Sequence, residues 1–207
     1  AEPAAPPTLP PAPPVSDVPP VPLVPASNAL EPELFGRRRT IAVGAAFGVI
    51  IVTGGPPGAG QVEVATFRRD AAYSDGRHPD GVTFSTAEED ARRRDFTINS
   101  LAIALSGDRH GELVDFFGGR KDIQRREIRV LHSLSFIDDP TRALRAVRYA
   151  RRLGFTIASD TRNLIETALG EGVFERLTGQ RLRRELETLF AEPHPASALA
   201  LVADLGL

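Results

Sequence analysis

Residues 90–99 read Asp90-Ala91-Arg92-Arg93-Arg94-Asp95-Phe96-Thr97-Ile98-Asn99, three consecutive arginines between two acids with apolar side chains directly behind them. The apolar run continues through Leu101, Ala102, Ile103, Ala104 and Leu105. A cationic cluster braced by carboxylates and anchored by a buried segment suits a polyphosphate, because guanidinium groups form paired, charge-assisted bonds to phosphate oxygens. An arginine run alone is usually a solvated face. This one gains weight from residues 136–148, which repeat the chemistry. There Asp138, Asp139 and Pro140 lead into a helix expected over 140–153, with the aspartates capping it and the proline in its first turn. Arg142, Arg145 and Arg148 recur at every third position and form one ridge. Leu144, Val147 and Leu153, with Ala143 and Ala150, form the stripe expected to be buried. The helix itself contains no acid, so its arginines repel one another, and an anion, a nucleotide or an RNA backbone in the space between them explains the arrangement. Asp139 beside Arg142 places an acceptor next to donors, the combination that pairs with the hydrogen-bonding edge of a base.

Composition narrows the class. At 207 residues the chain is long enough for one sizeable domain or two small ones. Its net charge of −2 argues neither for nor against nucleic acid. The basic residues are almost all arginine, Lys121 being the one lysine, and cysteine is absent, which removes disulfides and thiolate metal sites. Methionine is absent even at position 1, the expectation being a processed, trimmed or partial chain. Ile41–Thr53, the longest apolar run, is too short to span a bilayer. Residues 1–32 hold twelve of the 18 prolines and no Lys or Arg, which predicts an extended or disordered segment.

Order is expected to begin near Asn28–Phe35 with a short helix. Thr40–Val52 reads as a strand at a sheet edge or in a hairpin, Gly54–Gly60 as its turn, and Gln61–Arg68 as a strand with one face in the core. Glu63 sits mid-strand between two valines, either a surface carboxylate or a metal-binding acid at the mouth of a site. Residues 71–83 look like a polar loop, in which His78 has no partner at ligand spacing. The chain turns helical from Thr86, then shows a strand at Glu112–Phe117, a turn at Gly118-Gly119 and a last short strand at Ile128–Leu131. From Phe136 to Leu207 it reads as helices.

These pieces, in this order, resemble the class II tRNA nucleotidyltransferase (CCA-adding and A-adding) and bacterial poly(A) polymerase family. The resemblance rests on Val62–Arg68 with Asp70, on Ser74–Pro79, and on Arg93-Arg94-Asp95-Phe96-Thr97-Ile98-Asn99. It continues in Leu113–Gly119 with Asp122, in Phe136–Arg148, and in Glu175–Leu186, which looks like a neck helix. The fold implied is α+β: a small nucleotidyltransferase-type mixed sheet with helices over 36–131, incomplete at its N-terminus, then an all-α neck over 132–207. The function implied is transfer of CMP or AMP from CTP or ATP to the 3′-hydroxyl of tRNA or another RNA, with Mg²⁺ as cofactor, in the cytoplasm, with a helical body and tail or a larger assembly beyond.

By the same resemblance Arg93, Arg94, Asp95 and Asn99 hold the sugar and triphosphate. Asp139 and Arg142 form the template for the base, and Arg145 and Arg148 support the nucleotide. Gly118-Gly119 matches a hinge, and Asp138 stands where the family usually has Glu. Glu63 matches the third carboxylate of the catalytic and metal-binding trio. The Asp-x-Asp strand supplying the other two falls, by counting back, in proline-rich sequence near Pro19 and Val21, where Asp17 is the one aspartate. Two-metal phosphoryl transfer needs clustered carboxylates, and Glu63 alone does not supply them. Two readings follow: part of a nucleotidyltransferase without its metal motif, or a catalytically dead relative that binds nucleotide or RNA or serves as a structural element.

Overall fold

A computed structural model describes residues 39–44, 48–54, 60–70 and 82–207. The expectations for residues 1–32, for a helix near Asn28–Phe35, for the turn at 55–59 and for the loop at 71–81 with His78 fall outside the described residues.

Thr40–Val52 forms two strands, β1 (Thr40–Gly44) and β2 (Val49–Val52), which pair antiparallel with Ile41 opposite Ile51. β2 also pairs antiparallel with β3 (Val62–Ala65), which sets Glu63 opposite Ile51. The strand expected there is present, but its buried face is not: Val62 is 53% exposed, Glu63 and Ala65 are exposed too, and Val64 alone is half-buried. β4 (Arg68–Asp70) and β5 (Val82–Phe84) make a separate antiparallel ribbon, so the last residues of the expected 71–83 loop are strand.

Helix α1 (Ala87–Arg92) starts where its chemistry places it. The Thr86 hydroxyl accepts from the Glu89 N–H at 3.2 Å, and Glu88, Glu89 and Asp90 fill the first turn against the positive end of the dipole. A single 3₁₀ turn at Thr97–Asn99 follows, then a two-stranded ribbon of β6 (Ala102–Ile103) and β7 (Leu113–Val114). The apolar run behind the arginines is therefore a smaller anchor than expected. Phe96 is fully buried, whereas Ile103 and Leu105 are exposed on a ribbon with one neighbouring strand. Burying a phenylalanine contributes about 1.5–3 kcal/mol, and Phe96 adds an edge-on contact to Tyr149 at 5.7 Å.

The Gly118-Gly119 turn opens a helix, α2 (Gly119–Arg125), which the sequence reading passed over. Asp115 caps it from outside, its carboxylate accepting from the N–H groups of Gly119 at 2.9 Å and Arg120 at 3.0 Å. Gly119 lies directly against the 3₁₀ turn: a Cβ there would stand 2.7 Å from the Thr97 carbonyl carbon and closer still to its oxygen. The Thr97 hydroxyl in turn donates to Asp122 at 2.7 Å. The strand expected at Ile128–Leu131 is reduced to β8 (Glu127–Ile128), with Val130 making one isolated bridge to Phe96. It is also not the last strand, for it pairs in parallel with β9 (Thr156–Ile157).

The C-terminal part is helical: α3 (Ser135–Asp138), α4 (Thr141–Leu153), α5 (Ser159–Gly170), α6 (Gly179–Phe190) and α7 (Pro195–Leu205). α4 is central. Ala143, Leu144, Ala146, Val147 and Ala150 are buried, and the three alanines among them let α6 and α7 pack closely against it. Leu153 is exposed at the helix end before Gly154, and Ala146 takes the place that the expected stripe gave it. Phe96, Ile128, Phe136, Ile165 and Leu189 complete a core shared by the arginine-bearing stretch and the helices. Arg129 fastens the same junction, donating to Asp122 at 3.3 Å, Glu127 at 2.8 Å and Asp160 at 2.7 Å. The observed class is α+β, small sheets followed by helices, as the sequence implied.

Candidate functional site

Asp90 organises the first arginine cluster. It is buried on the short helix α1, and its carboxylate accepts from Arg93 Nε at 3.0 Å and Nη2 at 2.8 Å, from Arg94 Nη2 at 3.2 Å and from the Arg68 N–H at 3.2 Å. Two guanidinium groups are thus aimed by one carboxylate, which limits their rotamers before any ligand arrives.

Asp95 has a different surrounding. It is buried at the foot of the 3₁₀ turn and accepts from the Phe96 N–H, from Asn99 Nδ2 at 2.9 Å and from Arg145 on α4, which forks onto Oδ2. Burial raises its carboxyl pKa, but the Arg145 charge and the hydrogen bonds more than offset this and hold it below the ordinary carboxylate value. Burial likewise disfavours the Arg145 cation, and Asp95 reverses that and raises it. The arginine ridge on α4 is therefore not left to repel itself. Its acid comes from 50 residues away, beyond the reach of a helix-local spacing rule.

Arg142 bridges the two clusters, donating from Nη1 to Ser135 Oγ at 2.8 Å and from Nη2 to the Arg93 carbonyl at 3.0 Å. Arg148 lies with its guanidinium 5.3 Å over the Tyr149 ring, and its Nε is buried without a hydrogen-bond partner among the described residues. Asp138 ends α3 and sits 3.7 Å from His132, whose pKa is lowered by burial despite that acid. Asp139 caps α4, its Oδ1 accepting from the Thr141 N–H at 3.0 Å and hydroxyl at 2.6 Å. The same oxygen accepts from Arg181 Nη2 on α6 at 2.7 Å.

Between α4 and α6 lies an open cleft of about 920 Å³, lined among others by Asp139, Arg145, Arg148, Arg181, Arg184 and Glu185. The fold thus draws Arg93, Arg94, Asp95, Asn99, Asp139, Arg142, Arg145 and Arg148 to one side of the molecule through direct bonds or a shared cleft. Arg181 was missed from sequence. The signal was its position: a cation in the first turn of a helix meets the unfavourable end of the dipole, so an arginine there calls for an acid.

Glu63 stands outside this network. It is exposed on β3, and the described residues hold no group of three or more His, Cys, Asp or Glu side chains that could bind a metal ion. A hard divalent cation shared by an attacking and a leaving oxygen needs several carboxylate oxygens. The donors present among the described residues do not fit it.

The family model for the poly A polymerase head domain matches residues 25–129, and that for the "probable RNA and SrmB-binding site of polymerase A" matches residues 154–207. An A-adding tRNA nucleotidyltransferase of Geobacter sulfurreducens is 44% identical over 147 residues, 71% of this chain and 17% of its own length. A CCA-adding enzyme of Geobacillus thermodenitrificans is 39% identical over 172 residues, 82% of this chain and 40% of its own. A solved structure of a CCA-adding enzyme in complex with ATP superposes with a TM-score of 0.70 at 38% identity, over 86% of this chain and 40% of that one. The chain thus spans well under half of the length of each of these relatives.

Proposed function

This chain belongs to the class II tRNA nucleotidyltransferase and poly(A) polymerase family, and on that premise we propose that it is the nucleotide-selecting part of such an enzyme. Residues 36–131 act as the head and 132–207 as the neck. The reaction served is attack of an RNA 3′-hydroxyl on the α-phosphate of CTP or ATP, with tRNA as the RNA. The observation that carries this reading is the 3.0 Å bond from Arg142 to the Arg93 carbonyl. It ties the backbone of the first arginine cluster to the helix that carries the second, across 49 residues of sequence, and so supports reading the two clusters as one site.

Each group then has a task. Arg93 and Arg94, aimed by Asp90, meet the triphosphate. Asp139 accepts from the exocyclic amine of cytosine or adenine and Arg142 donates to the neighbouring ring nitrogen, a pattern that uracil and guanine do not match. Arg148 lines the cleft with its guanidinium held over Tyr149 and supports the nucleotide from that side. Asp95 acts through Arg145 and Asn99, holding the ridge in place. Arginines meeting phosphate give RNA binding a steep salt dependence. Because the donors around Glu63 among the described residues do not fit Mg²⁺, no catalytic step is drawn through a metal.

That same mismatch favours a second reading, a relative that binds nucleotide or RNA without catalysis. Calorimetry with CTP and ATP, with and without Mg²⁺, tests what the two readings share: both expect binding that is indifferent to Mg²⁺. Incorporation of labelled CMP or AMP into tRNA lacking its 3′ end separates them. Arg142→Ala is expected to weaken CTP and ATP binding by about tenfold, because it removes one half of a two-bond base contact of a kind worth roughly 1–3 kcal/mol. Its melting temperature should move by a few degrees only. Unchanged affinity in a folded Arg142→Ala protein would remove the template assignment.

A further inference from the structure

We infer that Arg181 on α6 is a positioning residue for nucleotide selection, one that fixes the orientation of Asp139 so that a single carboxylate oxygen faces the base; the inference rests on the nucleotide-binding reading above. All three donors to Asp139 converge on Oδ1: the Thr141 N–H, the Thr141 hydroxyl and Arg181 Nη2. None of the described residues donates to Oδ2. Oδ1 is thus saturated from within the protein, and Oδ2 is left as the acceptor for an exocyclic amine.

The geometry also makes Arg181 costly to replace. Its side chain is 18% exposed, the least of any arginine in the ion pairs of the described residues, and the Asp139 side chain is 29% exposed. Thr178 caps α6 by accepting from the Arg181 N–H, which fixes where the side chain leaves the helix. The contact spans 42 residues and links two helices, α4 by its cap and α6 by its first turn. An aspartate held by Thr141 alone keeps both bonds to Oδ1, but its carboxylate plane can still rock about the broad terminal torsion and move Oδ2 off line. With Arg181 in place that rotation is closed off, and the carboxylate presents one acceptor in one direction. An acceptor held in one direction rejects UTP and GTP, which offer it a carbonyl oxygen; a rotating one does so less.

The test is the affinity of the 207-residue chain for CTP, ATP, UTP and GTP by calorimetry, in the wild type and in Arg181→Ala and Arg181→Lys. The expected result for Arg181→Ala is a fall of about tenfold in the preference for CTP over UTP and for ATP over GTP, with partial recovery in Arg181→Lys. Arg181→Lys keeps the charge and serves if Arg181→Ala does not fold. Preferences equal to the wild type in a folded variant overturn the positioning role while leaving the nucleotide site standing. An equal loss for all four nucleotides assigns Arg181 to the general shape of the cleft and overturns it as well. No nucleotide binding by the wild type overturns the underlying reading, and this inference with it.

Discussion

Gly119→Ala is expected to cost about 3 kcal/mol or more of stability, at the upper end of what overpacking does. The added methyl group would lie inside contact distance of the Thr97 carbonyl, 2.7 Å from its carbon, with the Ile98 nitrogen at 3.3 Å. These are backbone atoms, so no side chain can swing away. The relief left is to move α2 off the 3₁₀ turn, which breaks the bond from Thr97 to Asp122. In a domain of this size the thermal midpoint should fall by roughly 10 °C, and a scan by circular dichroism checks it. The neighbouring Gly118 is the control with a different cause: its φ of 76° is left-handed, with open space where a Cβ would go. Gly118→Asn should therefore be mild. A Gly119→Ala protein as stable as the wild type would show that α2 does not need its close approach to Thr97.

Asp95→Ala is expected to cost about 3 kcal/mol, the lower end for breaking a buried ion pair, because the Arg145 side chain is 32% exposed and water can reach it. Asn99 and the Phe96 N–H lose their acceptor at the same time. The pH dependence has a definite sign. The folded carboxyl titrates below its ordinary 3.8, so its stabilisation is fully present above the unfolded pKa and is lost as pH falls through the lowered folded value. Wild-type stability should thus decline more steeply than that of Asp95→Asn from about pH 5 downward, and the two curves should converge in acid. Parallel curves, compared by urea denaturation across that range, would rule out Asp95 as the anchor of Arg145. The loss should appear in nucleotide affinity too, since Arg145 lines the cleft.

How far the sequence could be read depended on the distance over which each cause acts. Helix α4 was legible because its start at Pro140, its small apolar stripe and its stop at Gly154 are all local. The two arginine clusters were legible as chemistry. Their joining was not, for Arg145 finds Asp95 and Arg142 finds the Arg93 carbonyl through the tertiary fold alone. α2 was passed over because Gly118-Gly119 signals a turn, and the cap that starts the helix comes from the Asp115 side chain rather than from the glycines. β9 is two residues long, below the length at which a period of two can show. The anchoring role given to Ile103 and Leu105 failed because hydrophobicity fixes a preference for burial, not the presence of a covering layer. Arg181 leaves only a faint trace in sequence, a cation in the first turn of a helix, because the acid that it meets lies 42 residues away.

The Arg129 clasp and the β8–β9 pair bear on how this protein can be divided. A cut after residue 131 looks natural in sequence, where sheet-forming segments give way to helices. It would leave β8 without its neighbour, strip Asp160 from Arg129, and expose Phe96 and Ile128, two side chains fully buried in the shared core. The part bearing Arg93 and Arg94 therefore depends on α4 and α5 for its solubility as well as its shape. A shortened version intended to carry the first arginine cluster has to retain the chain through α7, because Leu189 and Leu205 close the same core, and a fusion partner is best attached on the N-terminal side of residue 86.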